Sequence, residues 1–125
     1  MTLTIVADSL AVLIAAGIIF VGARYLLAPE ASAKTFGLPA WPSGTEASWL
    51  NLKGVRDIVS GLVVLALLLT GQPHVLAVLI LVEAVIPIGD ALVILRYRGA
   101  KALAYGMHGA TAALMVVIAG LLFAA

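Results

Sequence analysis

The chain has 125 residues, of which 64% are hydrophobic and only 10% are charged, and its mean hydropathy is +1.22. A soluble domain keeps about a quarter of its residues charged, so this chain has too little polar surface to coat a water-soluble globule. A net charge of +1 without basic runs argues against a nucleic-acid partner, and the lack of cysteine excludes disulfides and thiolate metal sites.

Four apolar segments follow one another along the chain, each near the roughly 20 residues that a membrane-spanning helix needs. We therefore predict an all-α fold, a four-transmembrane-helix bundle that forms a single integral membrane domain over residues 1–125. The first segment lacks a basic start and a small-residue cleavage site, so we interpret it as a retained helix rather than a signal peptide. The four predicted helices cover residues 3–28, 44–70, 73–97 and 100–124.

The longest connection, residues 29–43, is predicted to be an interfacial segment with a short helix. Pro29 suits the first position of that helix, and Trp41 is typical of the membrane–water interface. Ser43 followed three residues later by Glu46 is a capping-box pattern, which predicts that the second helix begins there. We expect the segment to lie along the membrane surface.

The distribution of basic residues predicts the orientation. The first and third connections lie on one side of the membrane, and they and their adjoining helix ends hold every Lys and Arg of the chain: Arg24, Lys34, Lys53, Arg56, Arg96, Arg98 and Lys101. Cytoplasmic connections carry such an excess. We therefore expect a multi-pass protein of the inner (plasma) membrane with both termini outside the cytoplasm.

Ionisable side chains from several helices are predicted to meet in the cytoplasmic half. Lys53, Arg56 and Asp57 fall on one face of the second helix because they are spaced by three and four residues. The third helix carries Glu83, the most deeply placed charge, and Asp90 seven residues later. A charge near a helix centre costs roughly 2.5–3.5 kcal/mol on membrane insertion, so we expect these faces to turn toward neighbouring helices.

The remaining helices add further polar groups. Lys101, Tyr105 and His108 follow one face of the fourth helix, and Arg24 lies near the cytoplasmic end of the first. Pro87 is expected to bend the third helix and to free a carbonyl near Glu83. The outcome is predicted to be either salt-bridged packing between helices or a polar cavity open to the cytoplasm.

These residues define a candidate site without metal or cofactor. An intramembrane acid usually marks a site or a pathway, and buried carboxyls beside a histidine suit acid–base chemistry. The predicted catalytic residues are Glu83, Asp90 and His108, and the predicted substrate-binding residues are Arg24, Lys53, Arg56, Asp57 and Tyr105. The structural alternative is that the ion pairs only hold the helices in register and that His108 is a packing residue.

Glycines are spread through all four predicted helices. Small residues let helices approach closely in a membrane. We assign this packing role to Gly17, Gly22, Gly54, Gly61, Gly89, Gly106 and Gly109.

Several short motifs carry a family resemblance. They are Gly22-Ala23-Arg24, Phe36-Gly37-Leu38-Pro39, Lys53-Gly54-Val55-Arg56-Asp57 with Gly61, Asp90, and His108-Gly109. With them the sequence resembles small four-helix membrane proteins of bacteria and fungi that are grouped as a domain of unknown function. It is more distantly similar to DoxX-like membrane proteins. The resemblance implies four transmembrane helices over nearly the whole chain, and it transfers no activity, cofactor or substrate.

Three functions remain open at this point. The first is a site that binds a small hydrophobic or amphipathic, lipid-like molecule and transforms it by acid–base isomerisation or cyclisation. The second is a proton-coupled small-molecule transporter that acts as a homo-oligomer. The third is a non-catalytic membrane subunit whose small-residue helix faces bind another protein. The bilayer is a partner in all three.

Overall fold

The computed structural model describes all 125 residues, and it is helical throughout, without strands. The predicted all-α class is confirmed. Residues 73–96 form one long helix interrupted at Ala84, and residues 101–124 form another that contains a π-helical turn. The elements are α1 (Thr2–Leu27), α2 (Pro29–Lys34), a 3₁₀ turn (Gly44–Ala47), α3 (Ser48–Leu68), α4 (Pro73–Glu83), α5 (Val85–Arg96), α6 (Lys101–Leu103), the π segment (Ala104–Gly109) and α7 (Ala110–Ala124).

Three helical stretches are long and apolar enough to cross a membrane: Thr2–Leu27, Pro73–Arg96 and Lys101–Ala124. The protein is therefore a helical membrane protein. Helix α3 differs because Lys53, Arg56 and Asp57 all lie within its 21 residues. Its charges, rather than its length, set it apart from the other three.

The start of α3 departs from the capping-box prediction. Ser43 makes no side-chain capping hydrogen bond, and residues 44–47 form a 3₁₀ turn before the α-helix begins at Ser48. Gly44 adopts a left-handed φ of +58°, and its N–H donates to Glu30 Oε1 over 3.0 Å. The Gly44 N–H is thus bonded to the interfacial helix, and the 3₁₀ turn leads the chain into α3.

A closely packed apolar core fills the half of the molecule that holds both termini and the turn at Gly71. Ala7, Ala11 and Ala15 recur every four residues on α1 and are completely buried, so they form one smooth face for neighbouring helices. The core consists of Ala7, Ala11, Ala15, Val64, Leu76, Ala77, Ile80, Ala84, Met115, Ile118, Ala119 and Leu122.

Glycines bring α1 and α3 into backbone contact along their length. A Cβ added to Gly54 would lie 2.7 Å from the Gly22 carbonyl oxygen, and one added to Gly61 would lie 2.7 Å from the Ala15 carbonyl oxygen. Such approaches leave no room for a side chain. The predicted packing role is thus confirmed for Gly22, Gly54 and Gly61.

Three other predicted packing glycines do not lie at helix contacts. A Cβ added to Gly17, Gly89 or Gly106 would meet no atom within 4 Å. The prediction was wrong for these three because a glycine in a spanning sequence carries no mark of the face on which it lies.

The helices separate in the half of the molecule away from the termini. There α1 packs on α3, and α5 packs on the π segment, but α3 and α5 do not pack extensively on each other. The interfacial helix α2 and the following connection cover this end. The separation leaves a space between the two helix pairs, and most of the ionisable residues named above surround it.

Candidate functional site

A cavity of about 450 Å³ occupies the space between the helix pairs. Its wall is polar toward α2 and apolar toward the core. The polar lining residues are Arg24, Ser32, Thr35, Lys53, Asp57, Ser60, Glu83, Asp90, His108 and Thr111. Ile14, Ile18, Val64, Ile80 and Met115 line its apolar extension. One end of the cavity is therefore polar and the other is apolar, which matches the two ends of an amphipathic molecule.

An ion pair on α3 forms one side of the polar end. Lys53 and Asp57 stand one helical turn apart, and Lys53 Nζ lies 2.5 Å from Asp57 Oδ2. Asp57 is only 8% exposed, and a charge this buried needs a partner. Lys53 Nζ also lies 4.4 Å from the ring centroid of Tyr25 and 5.5 Å from that of Phe36, which stabilises the ammonium by cation–π attraction. The pair places one cation and one anion beside the cavity.

A second acid–base pair joins α5 to the π segment. His108 Nδ1 lies 3.4 Å from Asp90 Oδ2, and His108 Nε2 lies 2.9 Å from the Phe36 carbonyl oxygen. Because a carbonyl only accepts, Nε2 carries the hydrogen of that bond. The contact between Nδ1 and the carboxylate then attracts only when a proton lies on one of the two atoms. The pair therefore forms a favourable contact when one proton lies between Nδ1 and the carboxylate.

The π segment and the connection after α2 together position His108. In a π-helical turn each N–H bonds five residues back, and such turns occur often at functional sites. The Phe36 and His108 rings pack with their centroids 4.5 Å apart. The same connection is also held at the next residue, where the Ala100 N–H donates to the Gly37 carbonyl over 2.8 Å. His108 is thus held by both its ring face and its Nε2 atom.

Glu83 lies deeper, where the long helix is interrupted. It is the last residue of α4, and Ala84 separates it from α5. Pro87 has no N–H, so the Glu83 carbonyl lacks its usual helical partner four residues on. Glu83, Pro87 and Ser60 all line the cavity. The interruption of the helix therefore lies beside the deepest acid, where Pro87 was expected to bend the chain.

The sequence matches a known protein family. A family model described as Domain of unknown function (DUF4267) matches residues 15–122. The chain belongs to this family. No curated protein and no solved structure matches it. The predicted resemblance to a domain of unknown function is thus confirmed for this DUF4267 protein.

In this DUF4267 chain, six of the eight predicted site residues line the one cavity. They are Arg24, Lys53, Asp57, Glu83, Asp90 and His108. Arg56 instead lines a neighbouring cleft below Trp41. Tyr105 lines neither space and is 64% exposed, because the π segment turns it away from the face that His108 occupies.

The cavity of the DUF4267 chain also contains residues that the sequence reasoning did not select. Tyr25 is buried on α1, and its hydroxyl donates to the Ser32 carbonyl at 3.5 Å. Thr35 and Phe36 reach the cavity from the interfacial connection. The aromatic residue before Gly37 was a usable signal, since it stands inside one of the family motifs.

No group of three or more His, Asp or Glu side chains in the DUF4267 chain is arranged to hold a metal ion. Asp90 and His108 meet as a pair, and Asp57 is bonded to Lys53. The arrangement provides two acid–base pairs and one deeper acid around a partly apolar space.

Proposed function

We propose that this protein is a four-transmembrane-helix bundle that binds a small hydrophobic or amphipathic molecule in the cavity and transforms it by proton transfer. In this proposal α3 is the fourth spanning helix, with its charges facing the other helices. The protein resides in the plasma membrane with both termini outside, so that the polar end of the cavity lies in the cytoplasmic half. An isomerisation or cyclisation is the reaction class that fits.

One observation carries the proposal: two acid–base pairs and Glu83 surround the same partly apolar cavity. The Lys53–Asp57 and His108–Asp90 pairs come from different helices and both line it. A ligand site typically combines an apolar wall with a few convergent polar groups. Salt-bridged packing alone does not require a cavity of about 450 Å³ beside those pairs.

The proposed reaction divides two proton transfers between Glu83 and the Asp90–His108 pair. Glu83 and Asp90 are seven residues apart, which is about 10 Å along the helix. We propose that the Glu83 carboxylate takes a proton from a carbon next to a double bond, and the C–H electron pair becomes the new double bond. The proton on the Asp90–His108 pair is then delivered to the far carbon of the shifted bond. Proton exchange with water restores both groups.

The other polar residues bind the head group of the molecule. Arg24 lines the polar end and has no carboxylate within ion-pair distance, so its guanidinium is free for an oxygen of the ligand. Lys53 is already bonded to Asp57 and keeps that end charged. The apolar extension next to Val64 and Ile80 accommodates the tail.

The apolar core favours a binding site over a transporter. Ile80, Met115 and Val64 border the cavity and belong to or adjoin the closely packed core. A transporter needs access to both sides of the membrane, whereas the polar lining here belongs to one half of the molecule. The subunit hypothesis accounts for the packed glycines but not for the cavity.

The proposal is tested with protein purified from native membranes in nanodiscs and transferred to D₂O. Small molecules are extracted and measured by mass spectrometry, for the wild type and for Glu83→Gln and Asp90→Asn. Glu46→Gln is the matched control because Glu46 is exposed and lies outside the cavity. We expect the wild type and the control to enrich one compound and to exchange deuterium into a carbon position of it.

Both cavity variants should lose the deuterium incorporation, because Glu83 and the Asp90–His108 pair carry the two proton transfers. Equal enrichment and equal deuterium content in all four proteins would contradict the proposed function. So would the absence of any enriched compound in the wild type.

A further inference from the structure

We propose that the molecule reaches the cavity sideways from the lipid, through an opening between α1 and the π segment. This inference rests on the proposed function, and it restricts the substrate class to molecules dissolved in the bilayer. The cavity wall is incomplete between α1 and the π segment, and it is also open beside Ile86 of α5, where the cleft lined by Trp41 adjoins the polar end.

Side chains at the opening between α1 and the π segment belong both to the cavity and to the outer surface. Phe20 and Val21 of α1 and Met107 of the π segment all line the cavity. The same side chains are 64%, 38% and 38% exposed on the molecule. A wall built from such residues has gaps to the outside.

The helix packing explains the gaps. Helix α1 packs along α3 and on α7, whereas it does not pack extensively on the π segment or on α5. The space between α1 and the π segment is therefore not filled by a helix contact. Nearer the termini the gap is closed, because Ala7, Ala11 and Ala15 of α1 pack in the apolar core.

Gly17 marks the opening on α1. It lines the cavity, it is exposed, and a Cβ added to it would meet no atom within 4 Å. Unlike Gly22 and Gly61, it does not admit a neighbouring helix. The absence of a side chain here keeps the gap wide.

The position of Gly17 along α1 indicates that the opening faces lipid rather than water. It lies ten residues before Leu27, the last residue of α1, which is about 15 Å along the helix axis. A hydrocarbon core is about 30 Å thick. The opening thus faces acyl chains near the middle of the bilayer, and a water-soluble substrate does not approach from that direction.

The test compares two photoreactive alcohols that carry a diazirine: a long-chain hexadecanol that dissolves in the bilayer and a short-chain butanol that dissolves in water. The initial rate of labelling of cavity residues is measured in nanodiscs by peptide mass spectrometry. Gly17→Leu narrows the opening, since the site has free space where the side chain begins. Gly120→Leu is the matched control, because Gly120 is exposed, has equal space and lies outside the cavity.

We expect Gly17→Leu to slow labelling by the hexadecanol about fivefold, because access limits the association rate. Gly120→Leu should label at the wild-type rate, and the butanol should label Gly17→Leu as it labels the wild type. That last result also shows that the variant is folded with its cavity intact. Gly17→Ala should give an intermediate rate with the hexadecanol.

Three results would contradict the lateral route or the function on which it rests, and they are distinguishable. An unchanged hexadecanol rate in Gly17→Leu would contradict the route and leave the proposed function standing. If both alcohols fail to label Gly17→Leu, the leucine fills the cavity and Gly17→Ala decides: a wild-type hexadecanol rate in that variant would contradict the route. Absence of cavity labelling by either alcohol in the wild type would contradict the proposed function itself.

Discussion

At the scale of single residues, the balance of charges in the polar half depends on one close contact. Asp57 is buried on α3, and Lys53 is its ion-pair partner. Lys53 retains 30% of its side-chain exposure, so solvent partly screens the pair. The ammonium nevertheless allows a carboxylate to remain charged among apolar helices, since desolvation penalises an unpaired ion.

Lys53→Met is therefore expected to destabilise the protein by about 2 kcal/mol, because the Asp57 carboxylate loses its partner. The double variant Lys53→Met, Asp57→Leu should recover most of that loss, since no unpaired charge remains. Lys34→Met, which removes an exposed ammonium near Trp41, should change stability by less than about 0.5 kcal/mol. Unfolding in a detergent titration measures all three. A double variant as unstable as the single one would contradict this account.

Roles of individual residues were predictable where they depend on local spacing alone. The Lys53–Asp57 pair follows from a separation of four residues on a helix. The Asp90–His108 contact depends instead on how two helices and a connection meet, and the bond from His108 to the Phe36 backbone is invisible in the sequence. The outward turn of Tyr105 arises from the π segment, which no periodicity in residues 101–108 indicates.

At the scale of elements, the contact between α1 and α3 depends on glycines at the crossing. Gly22 and Gly54 place each other's carbonyl oxygen within 2.6–2.7 Å of where a Cβ would lie. Two backbones this close exclude any side chain between them. The pairing of α1 with α3 holds Arg24 and Lys53 on adjacent walls of the cavity.

Gly54→Ala is expected to destabilise the protein by about 2 kcal/mol, because the added methyl group must push the two helices apart. Gly89→Ala is the control in α5, where an added Cβ meets nothing. It should stabilise the helix by about 0.5–1 kcal/mol, since alanine is the better helix former. The difference in unfolding midpoint between the two variants measures the effect. Equal stability of both variants would contradict close packing at this crossing.

The helices themselves were largely predictable because each apolar run is long and is bounded by Pro, Gly or charge. The finer boundaries were not. The 3₁₀ turn before Ser48 reflects the bond from Gly44 to Glu30, a contact between residues fourteen apart. The interruption at Ala84 was anticipated only through Pro87, three residues further along.

At the scale of the whole molecule, the two halves differ in construction. One half is a packed apolar core around Ala11, Ile80 and Ile118. The other half separates two helix pairs around the cavity, and the interfacial connection covers its end. Amino-acid composition indicated a membrane protein, and the position of the charges indicated which half is polar. The sequence could not indicate that the helices separate there.

The orientation is a prediction about the whole molecule that single-cysteine variants can test, since the natural chain has no cysteine. Thr70→Cys lies at the turn between α3 and α4, and Ser43→Cys lies in the connection before α3; both sites are exposed. In intact cells a membrane-impermeant maleimide should label Thr70→Cys at once and Ser43→Cys only after lysis. The reverse pattern would place the termini in the cytoplasm.

The central claim is that the cavity holds an amphipathic molecule, and cysteine protection tests it most directly. Ser60→Cys introduces a near-isosteric thiol on the cavity wall, and Ser48→Cys introduces one on the exposed start of the same helix. Reaction with a small methanethiosulfonate reagent is timed in nanodiscs with and without dodecanol. At about ten times its dissociation constant, dodecanol should slow the reaction of Ser60→Cys about tenfold and leave that of Ser48→Cys unchanged. Equal rates with and without dodecanol at Ser60→Cys, or equal slowing at both sites, would contradict the claim.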